Sequence, residues 1–117
     1  MRLKAGIWIK AYIRRCHTEG VPAVVVRHGD DDAGSIFIRI NKLDGTSAIF
    51  GPAPAGLDGA KLDRQLMPLL GGRLIADPEA DEYLRREVDF DPDLWIVEVE
   101  ARDGRHFLDD WLMPLSS

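Results

Sequence analysis

The stretch that most restricts what this chain can fold into runs from Ala23 to Phe50, with Ser35–Asn41 at its centre. Ile36, Ile38 and Ile40 alternate with Phe37, Arg39 and Asn41. That is the period-two pattern of a half-buried strand, and β-branched isoleucine suits a pleated surface. The run ends at Lys42-Leu43-Asp44-Gly45-Thr46, where an Asp-Gly pair separates two apolar runs. Such a pair signals a tight hairpin, because a type I′ turn needs positive φ at both central residues. A two-residue loop at Asp44-Gly45 would set Leu43 against Thr46, Ile40 against Ile49 and Arg39 against Phe50. Upstream, Ala23-Val24-Val25-Val26-Arg27 reads as a third strand, joined to the isoleucine strand through Gly29–Gly34. The result is an antiparallel meander. An unbroken valine run suggests cover on both sides and places this strand, or its partner, centrally.

Either side of the meander the chain reads as helical. From Leu3 to Glu19, Ala5, Trp8, Ile9, Tyr12, Ile13 and Cys16 fall on one stripe at helical spacing. Ile7 breaks the stripe, so a strand over Gly6–Ile9 is the competing reading. Gly20 and Pro22 stop the helix. The second helix begins near Asp77, a candidate N-cap, with Pro78 in the first turn and Glu79 and Asp81 at the positive end of the dipole. Ala80, Tyr83, Leu84 and Val88 form its apolar stripe, and Asp91-Pro92 ends it. Gly51–Gly56 reads as punctuation. Arg64–Leu70 fits an edge strand carrying Pro68 or a helical turn, and Leu57–Ala76 is the least legible segment.

Leu94–Glu100 is another strand, with Trp95, Val97 and Val99 on one face and Leu94, Ile96, Glu98 and Glu100 on the other. Asp103-Gly104 predicts a second hairpin, with Arg105–Leu108 returning so that Val99 faces Leu108. The tail carries Trp111. The expected fold class is α+β: an antiparallel sheet of about four to six strands, with an N-terminal helix and a second helix packed on one face. The 117 residues suffice for one domain, 1–117, with a real core.

Trp8–Arg15, then Val24–Asp30 running on through Ile36-Phe37-Ile38, and finally Phe90–Glu100 with Asp103–Leu108 together resemble a small bacterial family catalogued as domain of unknown function 1491. The last stretch is the most specific. The resemblance spans nearly everything except about Leu57–Ala76. It implies a single cytosolic bacterial domain and carries no assigned activity, cofactor or catalytic residue.

Composition excludes several function classes. A net charge of −5 disfavours nonspecific nucleic-acid binding, leaving only the small basic patch of Lys10, Arg14 and Arg15. One cysteine, Cys16, cannot form an internal disulfide and fits a reducing, cytoplasmic setting. No apolar run approaches the roughly 18 residues of a membrane span. Ile7-Trp8-Ile9 is too short for the apolar part of a secretion signal.

The candidate chemistry is sparse. His28 with Asp30-Asp31-Asp32 has metal-ligand types, but Asp and Gly are also turn formers, so a solvated loop is the reading and no metal is expected. Cys16 lies on the apolar stripe and reads as a buried thiol rather than a nucleophile. Gly51–Gly56 lacks the Lys-Ser/Thr of a phosphate loop, and its prolines remove amide donors. No catalytic residues and no cofactor emerge.

Two surfaces remain. The sheet face opposite the isoleucines should carry Phe37, Arg39, Phe50 and Arg27, and aromatics with arginine are the composition of interface cores. If the tail with Trp111 does not cover that face, it would serve a homodimer or a protein partner. That makes a non-enzymatic interaction or self-associating module the leading expectation. The alternative is a small enzyme or ligand-binding domain using Glu98 and Glu100 beside Arg27 and Arg39. By the expected register, His106 falls on the Trp95 face, away from the glutamates.

Overall fold

Ile36–Asn41 forms the middle strand of a six-stranded sheet, in a computed structural model that describes residues 3–54 and 64–112. The elements in chain order are helix α1 (Ala5–Thr18), β1 (Ala23–Arg27), β2 (Ile36–Asn41), β3 (Thr46–Pro52), β4 (Leu66–Pro68), β5 (Ile75–Ala76), helix α2 (Asp77–Phe90) and β6 (Trp95–Glu100). The strands are ordered β1-β6-β2-β3-β4, and β5 pairs with β3. The fold is α+β, and its mainly antiparallel sheet contains one parallel pair, β2 with β6.

That parallel pair overturns the meander. β6 lies between β1 and β2, so the valine strand pairs with β6 rather than with the isoleucine strand. The loop from His28 to Ser35 carries the chain across the start of β6. There the Asp30 amide donates to the Asp93 carbonyl and the Trp95 indole donates to the Asp30 carbonyl. A Cβ on Gly29 would stand 2.2 Å from the Asp93 carbonyl oxygen, and one on Gly34 would stand 2.5 Å from it, so this crossing requires glycine at both places. With β1 on one side and β2 on the other, β6 has no free edge. This is why Arg105–Leu108 does not return as a strand. Asp103-Gly104 is a turn, with the Gly104 amide on the Ala101 carbonyl, but not a hairpin. β1 itself is an edge strand, and its valines are exposed rather than doubly covered.

The β2–β3 hairpin has a three-residue loop. The Lys42 amide donates to the Thr46 carbonyl, Leu43 and Gly45 hold positive φ, and the Asp44 carboxylate accepts from the Thr46 amide and hydroxyl. Register therefore moves one residue from expectation. Ile38 faces Phe50, Arg39 faces Ile49 and Ile40 faces Ala48. A one-residue slip exchanges faces, and it puts Phe50 with the isoleucines. β3 also extends through Gly51 and Pro52, which were expected to be punctuation. The Arg64–Leu70 segment resolves as the edge strand β4, followed by a 3-10 turn at Leu70–Gly72. Ala55, Gly56 and 57–63 lie outside the described residues.

Two cores form, one on each face. On one face, Trp8, Ile9, Tyr12 and Cys16 of α1 pack on Ile36, Ile38, Ile40, Trp95, Val97 and Val99, with Trp111 closing edge-on against Trp8. On the other, Ala80 and Leu84 of α2 pack on Phe37, Ile49, Ile75, Leu94 and Ile96. The helices are thus on opposite faces, not together on one. The reason lies in β2, whose Phe37 is apolar as well as its isoleucines, so both faces need cover. The buried stripe of α1 is the one its spacing predicts.

Candidate functional site

The site grows from a charge placed inside an apolar strand. Arg39 sits on β2 between Ile38 and Ile40, is 8% exposed, and faces α2. A buried guanidinium must be paired and hydrogen-bonded. Its Nε donates to the Ser47 hydroxyl at 3.0 Å. One terminal nitrogen pairs with Asp81, and the other lies 3.2 Å from Asp77 Oδ1. Asp77 and Asp81 sit one turn apart on the first turns of α2, so both carboxylates reach the same point. Asp77 does not act as an N-cap. Ala76 holds the cap position, and Asp77 turns inward to accept from Ser47 at 2.8 Å. Burial works against the Arg39 charge, but hydrogen bonding to Asp81 and the charges of Asp81 and Glu98 outweigh it and hold the guanidinium above its ordinary value.

Glu98 is the less satisfied member. It stands beside Arg39 in the parallel register. Asn41 Nδ2 donates to one of its oxygens at 3.3 Å, and Arg39 Nε lies 4.0 Å from the other. Glu98, Arg39 and Asp81 line the polar end of a cleft of about 200 Å³, whose apolar walls are Val26, Leu84, Val88 and Ile96. The cleft exists because α2 packs on β3 and β5 and leaves the β1 side of the sheet uncovered. Val24, directly across from Glu98, and Val26 are each 58% exposed.

The expected interaction set divides. Phe37 and Arg39 are on the anticipated face but lie buried beneath α2. Phe50 is on the opposite face, packed in the α1 core with its ring 4.9 Å from that of His106. Arg27, at the end of β1, donates to the Pro92 carbonyl at 2.7 Å. Of the ligand-site pair, Glu98 reaches the cleft, whereas Glu100 is exposed and does not line it. Reading the sequence missed Ser47, Asp77 and Asp81, and with them Val24 and Val26. The lone arginine in an isoleucine strand was the available signal, since it demands carboxylates nearby.

The aspartate loop is built into the fold. The Asp31 and Asp32 carbonyls accept the Gly6 and Ala5 amides at the start of α1, and the Asp30 carboxylate holds the Asp32 and Ala33 amides. His28 lies over the Trp95 ring and 3.4 Å from Asp31. Cys16 is fully buried, and that burial raises its pKa. The Tyr12 phenol is likewise pushed up by burial, and it donates to the His106 carbonyl at 2.7 Å. No helix among the described residues is long and apolar enough to cross a membrane.

Two helices on opposite faces of a mixed sheet make this a small α+β domain. The chain belongs to the family described as protein of unknown function DUF1491, whose model matches residues 3–109. A DUF1491 family protein from Caulobacter crescentus, solved by crystallography, is 36% identical, with TM-score 0.78 over 97% of this chain and 100% of that one. Its family protein solved by NMR from the same organism gives the same identity and TM-score over 97% and 99%. The solution structure of protein Atu0922 from A. tumefaciens is 36% identical, with TM-score 0.74 over 86% and 87%. No curated protein matches the chain.

Proposed function

We propose that this domain is a non-enzymatic interaction module that docks another protein chain on the edge of the sheet α2 leaves uncovered, formed by β1 beside Glu98. The observation that carries this reading is the exposure of Val24 and Val26, each 58%, on a sheet whose isoleucines are all buried. Exposed apolar side chains beside a cleft mark interaction sites, and β1 is also an open edge. Ladder alternation points the Val24 groups toward β6 and the Val25 amide and carbonyl outward. The opposite edge is less available, because β4 carries Pro68 and bridges to Leu112. The face is the one expected for an interaction surface, but its exposed members are Val24 and Val26 in place of Phe37 and Phe50.

The test combines light scattering across a concentration series with co-purification from the source cells, for the native chain and for Val24→Ser/Val26→Ser. The reading expects a companion, a second copy or another protein, that the double variant loses while keeping its fold. A concentration-independent monomer whose companions are the same with and without the two valines would overturn it.

The cleft at Arg39 and Glu98 favours a second reading, that of a ligand-binding domain. Its apolar walls and few converging polar groups are the makeup of small-molecule sites, though its volume is below their usual range of roughly 300–1,000 Å³.

A further inference from the structure

We infer that the docked segment inserts a long basic side chain, lysine or arginine, into the cleft with its cationic head on Glu98. This rests on the docking reading above and names the chemistry of the partner.

The lining of the cleft suits such a side chain. Val26, Leu84, Val88 and Ile96 offer apolar walls to an aliphatic stem, and the polar end lies at Arg39, Asp81 and Glu98. Lysine and arginine bury their stems on apolar surface and keep the charge at a polar end. The charge balance at that end decides the sign of the ligand. One guanidinium, Arg39, pairs with Asp77, which does not line the cleft, and with Asp81, which does, so the carboxylate of Glu98 stands there without a close cation of its own among the described residues. Arg85 also lines the cleft, but it is already bound by Glu82 and Asp89, each at 2.7 Å.

Within the cluster the carboxylates are not equal. Arg39 directs its donors to Ser47, Asp77 and Asp81. Among the described residues, Glu98 keeps only the 3.3 Å contact to Asn41 and the 4.0 Å approach of Arg39, both longer than charge-assisted bonds prefer. Its side chain is 25% exposed, open enough to receive a ligand and sheltered enough to hold one. An anion would meet the charge of Glu98 here, and a neutral group would leave Glu98 as it is. A cation completes it. The net charge of −5 on the whole chain favours approach of a basic partner.

The test is an NMR titration of the full chain with Nα-acetyl-lysine methylamide, following the backbone amides of Val26, Ile96 and Glu98. Nα-acetyl-norleucine methylamide supplies the stem without the charge, and the glutamate analogue reverses the charge. Binding in the millimolar range is expected for the lysine probe, with perturbations confined to the cleft. Norleucine should bind about tenfold more weakly, and Glu98→Gln should weaken the lysine probe by about tenfold. Equal binding of lysine and norleucine, stronger binding of the glutamate probe, or no perturbation at the cleft overturns the inference on the native chain alone, whatever the fold of Glu98→Gln. If the lysine probe fails while Val24→Ser/Val26→Ser still abolishes association, the basic anchor is wrong and the docking surface stands.

Discussion

Arg39 shows how one residue fixes the placement of an element. Its guanidinium draws Asp77 and Asp81 down from the start of α2, so the helix that covers Phe37 is held by ions as well as by apolar contact. Arg39→Leu removes one charge and leaves its partners. Losing one member of a buried pair costs about 3–5 kcal/mol, but Asp81 is 67% exposed and rehydrates, so about 2–3 kcal/mol is expected. Chemical denaturation measures it, and an unchanged midpoint would show that the cluster contributes nothing to holding α2. At Cys16 the expectation is inertness. The thiol is fully buried, so it should react with a disulfide reagent only on unfolding. Burial raises its pKa and that of Tyr12 in the folded state. The unfolded chain therefore loses those protons first, and stability falls as pH rises beyond about 8.5, where a free thiol ionises. Denaturation midpoints at neutral and alkaline pH should show the decline, and Cys16→Val should flatten its first part.

Among the elements, helices were legible from the sequence and strand partners were not. The stripe from Ala5 to Cys16 is periodic over a whole helix, and that length prevails over the strand reading of Gly6–Ile9. The hairpin register was beyond reach because Ala48, Ile49 and Phe50 are consecutive apolar residues, so β3 has no alternation to choose between two loop lengths. The three-residue loop holds Leu43 at positive φ, a conformation its residue type does not foretell. The insertion of β6 between β1 and β2 was hidden for a different reason. Neighbours in sequence usually pair, and a parallel partner more than fifty residues away leaves no local trace. Its only written sign is the pair Gly29 and Gly34, which looked like ordinary loop residues. Gly29→Ala should cost on the order of 2 kcal/mol or more, because its Cβ would meet backbone rather than a movable side chain. Thermal unfolding of Gly29→Ala beside Gly20→Ala, where a Cβ meets nothing within 4 Å, separates the clash from the strain of positive φ that burdens only Gly20. A smaller loss at Gly29 than at Gly20 would contradict the crossing as described.

For the whole molecule, the consequence is asymmetry. The α1 face is filled from Ile36 to Val99 and closed by Trp111, whereas the cover on the α2 face reaches Ile96 of β6 and leaves Val24 and Val26 of β1 exposed. The composition of the α2 face was legible in part, from the aromatic and arginine residues on β2, but not the helix that buries them. Which residues stay exposed depended on where α2 lies, and that follows from the Arg39 cluster rather than from any pattern along the chain. Glu98 was legible as a candidate because it sits on an otherwise apolar strand, and Glu100 accompanied it only by alternation. On the proposed reading, the β1 edge beside Glu98 receives another protein chain. Placing a photo-crosslinking amino acid at position 26 in the source cells, with position 74 as an exposed control on the loop before β5, tests it most directly. The account predicts one discrete crosslinked species from position 26, absent from position 74 and lost when Val24 is changed to serine. Only the uncrosslinked chain from position 26, or the same species from both positions, would contradict it.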